Sequence, residues 1–176
     1  SGYRVGLLDA DIWGFSIPRM IGASGRLEAD TTTGLIQPVI ASDVKVISTG
    51  LIIDDEETAL MWRGLMLSKA LEQFLKQVDW GDLDYLLIDM PPGTGDVQMA
   101  LMRMLPQAEM VVVTTPQSAA QKVAIRVADM ARRSYMPIVG VIENMTGEVF
   151  GDGGGAELAA DLGVPLLGAV PLDPAV

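Results

Sequence analysis

The 176 residues predict an α/β fold with a mostly parallel central sheet and helices on both faces. Two observations carry the prediction. Short apolar runs of strand length recur along the chain, and longer stretches with helical apolar spacing lie between them. Most of the short runs lack polar alternation, so both of their faces should be covered, as in a parallel sheet.

The first run is Arg4-Val5-Gly6-Leu7-Leu8-Asp9. Residues 23–43 are less regular and read as a loop. Val44-Lys45-Val46-Ile47-Ser48 is the second strand, and residues 52–60 read as another loop. A helix follows, because Leu67, Leu71, Phe74, Leu75 and Val78 form one apolar stripe. Tyr85-Leu86-Leu87-Ile88-Asp89 is the third strand, with a short helix expected over 96–104. Met110-Val111-Val112-Val113-Thr114 is the fourth. The next helix carries the stripe Ala119, Val123, Val127, Met130 and Ala131, with Ser118 as its expected N-cap and Pro137 just past its end. Ile138-Val139-Gly140-Val141-Ile142 is the fifth strand, 156–162 a short helix, and Leu166-Leu167-Gly168-Ala169-Val170 the last strand. Such alternation implies right-handed crossovers and places ligands at the carboxyl ends of the strands. No internal repeat or second domain is visible, so residues 1–176 read as one domain.

Composition narrows the chemistry. The formal net charge is −11. That argues against a nucleic-acid or anionic-membrane surface, which needs clustered Lys and Arg. No apolar run is long enough to span a bilayer. There is no cysteine and no histidine, which removes thiol nucleophiles, disulfides, imidazole bases and the usual zinc and iron–sulfur ligands. A metal held here should be a hard cation on oxygen ligands, with Mg²⁺ the first expectation. Four of the 11 methionines lie between Met99 and Met110. They read as core filler, with a partner-facing patch on the helix after Gly95 as the alternative.

The strand ends carry the polar residues. The first strand runs into Asp9-Ala10-Asp11, the third into Asp89-Met90-Pro91-Pro92-Gly93-Thr94-Gly95-Asp96, the fifth into Glu143-Asn144-Met145 and the last into Pro171-Leu172-Asp173-Pro174. Asp89, at the end of an apolar strand and before a Pro/Gly loop, has the setting of an aspartate that holds Mg²⁺; the plainer reading is a turn cap. Gly93-Thr94-Gly95 can bring backbone N–H groups close to a phosphate. Asp9 and Asp11 share a face of an extended chain. One of them would order an attacking water while the other shapes the loop, and a surface turn is the alternative. Asn144 offers a donor and an acceptor to a base edge, or else makes a local turn. Gly151, Gly153, Gly154 and Gly155 precede a helix and would either approach a ligand or link into that helix.

Taken together, RVGLLDADIWGFSIPRM (4–20), MWRGLM (61–66), DWGDLDYLLIDMPPGTGDVQ (79–98), VVVTTPQ (111–117), GVIENM (140–145), FGDGGG (150–155) and LGVPLLGAVPLDP (162–174) resemble the Mrp/ApbC branch of the deviant P-loop ATPases, relatives of MinD and ParA. The resemblance implies a P-loop NTPase fold with a parallel sheet of about seven or eight strands. It also implies an ATP-bound homodimer in the cytoplasm that passes iron–sulfur clusters to apo-proteins. Asp11 is then the switch I aspartate that orders the attacking water, and Asp89 acts on Mg²⁺ through water. Gly93, Thr94 and Gly95 lie beside the γ-phosphate. Asn144 reads adenine, and Pro171 and Asp173 line the base pocket. The family's lysine-bearing phosphate loop would precede Arg4, so the chain is expected to lack that strand–loop–helix, to be truncated at its C-terminus as well, and to be inactive by itself. Thr146-Gly147-Glu148-Val149 stands where many members carry a Cys-x-x-Cys pair, so the cluster ligands implied by the family are absent. The alternatives are a MinD/ParA-like positioning ATPase, disfavoured by the charge, and a non-catalytic dimerising scaffold.

Overall fold

The structure, a computed structural model of the chain, describes residues 2–11, 14–52, 65–93, 95–173 and 175. Thr94 and nearly all of the expected 52–60 loop lie outside the described residues. The chain forms two compact units, Ser1–Pro92 with Asp96–Leu101, and Gly93–Gly95 with Met102–Val176.

The first unit contains β1 (Val5–Asp9), α1 (Ile17–Ile21), β2 (Glu28–Ala29), β3 (Ile36–Gln37), β4 (Val39–Ala41), β5 (Val44–Ser48), a 3₁₀ turn (Thr49–Leu51), α2 (Leu65–Lys76) and β6 (Tyr85–Asp89). β4-β5-β1-β6 form one sheet, parallel except for β4, which runs antiparallel to β5. β2 and β3 make a separate antiparallel pair. The apolar runs therefore become strands where expected. The segment 23–43 is not wholly loop, since it folds back into three strands of two or three residues. Strands that short carry no legible alternation.

Register fixes the rim of this sheet. Asp9 pairs with Ser48 on one side and with Asp89 on the other, so these three residues end their strands in step. Packing backs the neighbouring strands β5 and β1. Ala41, Val46 and Leu51 form a core cluster with Ile17 and Ile21 of α1. On β1 itself, a Cβ added at Gly6 would come within 2.9 Å of the Trp80 ring. The indole thus lies against bare backbone, and its Nε1 donates to the Phe74 carbonyl of α2 at 2.9 Å. Arg4 ties the other end of the sheet through Asp84, with Nη2 to Oδ1 at 3.2 Å and the Arg4 amide to Oδ2 at 2.7 Å.

α3 (Asp96–Met104) begins in the first unit and ends in the second. Met102 is buried and Met99, Met104 and Met110 are half-buried. Core filling is thus shown for Met102, while the other three remain partly accessible.

The second unit holds β7 (Met110–Thr114), α4 (Ser118–Arg133), β8 (Ile138–Thr146), α5 (Gly154–Leu162) and β9 (Leu166–Pro171). The strands form a parallel sheet in the order β7-β8-β9. Val112 and Val141, which pair across β7 and β8, are buried with Ala124 and Ala128 of α4 and with Leu158, Ala159 and Leu162 of α5. Both helices thus cover one face, and Val111 and Val113 on the other face are exposed. One expectation is corrected here. Gln117, not Ser118, is the N-cap of α4, and it makes no side-chain cap bond. Ser118 already stands inside the first turn, where its hydroxyl cannot cap that turn from outside. β8 also runs four residues beyond the predicted Ile142, because β9 continues to pair with it.

Candidate functional site

Asp9 is fully buried at the end of β1. A buried carboxylate needs hydrogen bonds to both oxygens, and it has them. Oδ2 accepts from the Ser48 hydroxyl at 3.1 Å, and Oδ1 accepts from the amide of Asp11 at 3.1 Å. Burial still pushes the Asp9 carboxyl above the ordinary carboxylate range, against the lowering effect of these bonds. Of the two readings of the Asp9-Ala10-Asp11 pair, Asp9 takes the loop-shaping one. Ser48 is its partner, and no feature of the sequence marks it.

Asp11 lies just past this brace and is partly buried. Its Oδ1 accepts from the Gly14 amide at 3.2 Å. Between Asp9 and Asp11, the Ala10 amide donates to the Asp89 carbonyl at 2.9 Å. The ladder between β1 and β6 thus continues one step beyond the strands and stitches the Asp11 loop to the Asp89 rim. The Asp89 side chain reaches solvent, yet partial burial, and then the charge of Asp11, raise its carboxyl above the usual range. Two carboxylates close enough to feel each other, with oxygen donors only, suit a hard cation. Among the described residues, however, no group of three or more His, Cys, Asp or Glu is placed to hold a metal ion. What this rim offers a hard cation is therefore the pair Asp11 and Asp89.

The loop after Asp89 is pinned by a residue that the sequence reading quoted but did not single out. Gln98 of α3 is almost wholly buried, and its Nε2 donates to the carbonyls of Pro91 at 2.8 Å and Pro92 at 3.0 Å. Prolines lack N–H groups, so this turn cannot donate from Pro91 or Pro92, and the Gln98 amide anchors it through their carbonyls instead. Gly93 follows with φ +91°, a conformation that glycine adopts freely. Gly95 is exposed.

In the second unit, Asn144 and Pro171 lie toward the carboxyl ends of the paired strands β8 and β9, and Asp173 follows two residues beyond Pro171. Asn144 pairs with Val170, Thr146 pairs with Pro171, and the Leu172 amide donates to the Thr146 carbonyl at 2.8 Å. The Asn144 Oδ1 accepts from the Met145 amide at 2.9 Å. Asp173 accepts from the Ala175 amide at 2.8 Å, a local turn. The Gly-rich loop before α5 resolves its two readings. The amides of Gly153 and Gly155 donate to the buried Glu143 carboxylate at 3.2 and 2.9 Å. These amides serve a side chain of the same unit, so the loop is a link into the helix.

The sequence profile of a ParA-type family, described as NUBPL iron-transfer P-loop NTPase, matches residues 1–176. An iron-sulfur cluster carrier protein of Mycobacterium leprae is 48% identical over 191 aligned residues, which cover 99% of this chain and 49% of that protein. The chain thus spans about half the length of that relative. A nucleotide-binding protein of Archaeoglobus fulgidus, solved in complex with ADP, is 30% identical with a TM-score of 0.79, covering 99% of this chain and 71% of that one. The septum site-determining protein MinD of Pyrococcus horikoshii, complexed with Mg-ADP, shares the fold at 22% identity and a TM-score of 0.68, covering 99% and 71%. The chain belongs to the ParA-type, NUBPL-like family of iron-transfer P-loop NTPases.

Proposed function

We propose that the full-length protein binds and hydrolyses ATP with Mg²⁺ and uses that cycle to carry iron–sulfur clusters to apo-proteins in the cytoplasm, as a homodimer. The observation that supports the reading most is the stitched rim of the first unit. Asp11 and Asp89 are tied by the Ala10 amide, and Asp9 braces the loop from within. Among the described residues no helix is long and apolar enough to cross a membrane, which is compatible with this reading.

In this reading Asp11 orients the water whose oxygen attacks the γ-phosphorus as the bond to the β,γ-bridging oxygen breaks. Phosphoryl transfer to water depends on positioning and charge neutralisation more than on a strong base, so a site without histidine is coherent. Asp89 would hold Mg²⁺ at this rim. Mg²⁺, when bound, neutralises phosphate charge. Gln98 keeps the Pro91-Pro92 turn fixed, and Gly93, Thr94 and Gly95 are assigned to the terminal phosphate. Asn144 reads the adenine edge, flanked by Pro171 and Asp173.

The cluster is cargo, and these residues do not fit it as direct ligands. With no cysteine and no histidine, none of the 176 residues supplies a usual iron–sulfur ligand. Cluster binding then needs ligands from outside these residues. The test is the full-length protein. Mg²⁺-dependent ATP turnover, together with transfer of a preloaded cluster to an apo-protein, is expected. A protein that dimerises but neither turns over ATP nor transfers clusters is the scaffold instead.

A further inference from the structure

We infer that Glu143 is a positioning residue for base selection: its carboxylate latches the Gly-rich loop before α5 and thereby holds Asn144 in place. The inference rests on the reading of Asn144 as the residue that meets the base.

Glu143 is 2% exposed, an unusual position for a glutamate. Its Oε1 accepts from the Gly155 amide at 2.9 Å and its Oε2 from the Gly153 amide at 3.2 Å. Both donors lie at the opening turn of α5, where the helix dipole favours a negative charge. The fit is close. A Cβ added at Gly155 would come within 2.5 Å of the Glu143 Cβ, so only glycine lets the loop approach. Two of the strings singled out in the sequence, Glu143-Asn144-Met145 and the Gly-rich loop, are therefore one physical unit.

The latch sits where β8 most needs one. Glu143 is the last residue of β8 paired to β7, through Thr114. From Asn144 onward only β9 pairs with it, and the register shifts between Asn144 and Thr146. The next residue, Met145, has a left-handed backbone with φ +59°. On its β7 side, the extension that carries Asn144 has lost its ladder partner and retains the Glu143 latch one residue away. A glutamate fixed at this point sets where the Asn144 amide is held.

The test is the preference for ATP over GTP in the full-length protein, measured with Glu143→Gln, Gly155→Ala and Asn144→Ala. Gln keeps the shape of Glu but presents an NH₂ group to one of two backbone donors, so one arm of the latch fails. Ala at Gly155 presses on the Glu143 side chain from the other side. Both variants should lower the ATP-over-GTP preference by about tenfold or more, the scale of one lost hydrogen bond to a charged group. They should do so while the protein stays folded by circular dichroism. If Asn144→Ala loses the preference but the other two keep it, the inference is overturned and Glu143 is a structural cap only. If Asn144→Ala keeps the preference, the reading of Asn144 itself fails, and the inference falls with it. Coupling is reciprocal, so the wild type gives a second readout that needs no variant. ATP should slow hydrogen exchange at the Gly153 and Gly155 amides more than GTP does. Equal protection by the two nucleotides overturns the inference even if the variants do not fold.

Discussion

The Ser48 hydroxyl donates to the Asp9 carboxylate at 3.1 Å between two neighbouring parallel strands, and both residues are fully buried. Asp9 in turn holds the Asp11 amide, and the Ser48 oxygen accepts from Gly50 at 3.1 Å. Ser48→Ala leaves one oxygen of a buried carboxylate without this donor. The expected cost is about 1–3 kcal/mol of unfolding free energy, read from urea denaturation. A cost near zero would mean that water replaces the hydroxyl and that the brace is not rigid.

Gln98→Leu keeps the bulk at α3 but removes both donors to Pro91 and Pro92. The turn that leads into Gly93 should then loosen. The expected outcome is a fall in kcat for ATP of about tenfold or more with nucleotide affinity little changed, because the loop is assigned to the reacting phosphate rather than to the base. Equal losses in affinity and turnover would place Gln98 in general folding instead.

Asp89→Asn should weaken Mg²⁺-dependent hydrolysis more than it weakens ATP binding. Asp89 is assigned to the metal's water shell, while most of the affinity should come from phosphate and base contacts. Titration of turnover against Mg²⁺ checks this. An unchanged Mg²⁺ dependence would remove Asp89 from the metal.

A pH prediction follows from the opposite end of the sheet. The Arg4 guanidinium, and then its amide, hold the Asp84 carboxyl below the ordinary carboxylate range. A depressed folded value means that the folded state favours the charged form. The contribution to stability is present above the unfolded value of about 4 and is lost as pH falls through the depressed value. Arg4→Met should therefore lower Tm by a small amount at pH 7, less in high salt, and by less still at pH 2. A deficit that is constant across pH would point to lost packing rather than lost charge.

What was legible in the sequence was what depends on local pattern. Val44–Ser48, Tyr85–Asp89, Met110–Thr114 and the helix Asp96–Met104 stand where apolar runs and spacing put them. α1 escaped notice because five residues hold little more than one helical turn, although Pro18 near its start was a usable signal. Asp89 and Asp11 were visible because one closes an apolar strand and the other follows two residues after one. Ser48 and Glu143 also stand at the ends of apolar runs, but nothing in the sequence marks what they bond, and Gln98 lies inside a helix with no mark at all. Their roles arise from register across strands, from two proline carbonyls and from a glycine approach ten or more residues away, none of which a linear pattern encodes.

The most direct test of the account is single-turnover ATP hydrolysis by the full-length protein with Asp11→Ala, beside equilibrium ATP binding. Asp11 is held in place by Asp9 and Gly14 and is assigned to the attacking water alone. The account predicts a loss of hydrolysis rate of about 10²–10⁴-fold, the usual contribution of a group acting on the proton or water. ATP should remain bound, and an ATP-bound dimer should accumulate. Hydrolysis at the wild-type rate would contradict the assignment and leave Asp11 as a turn residue.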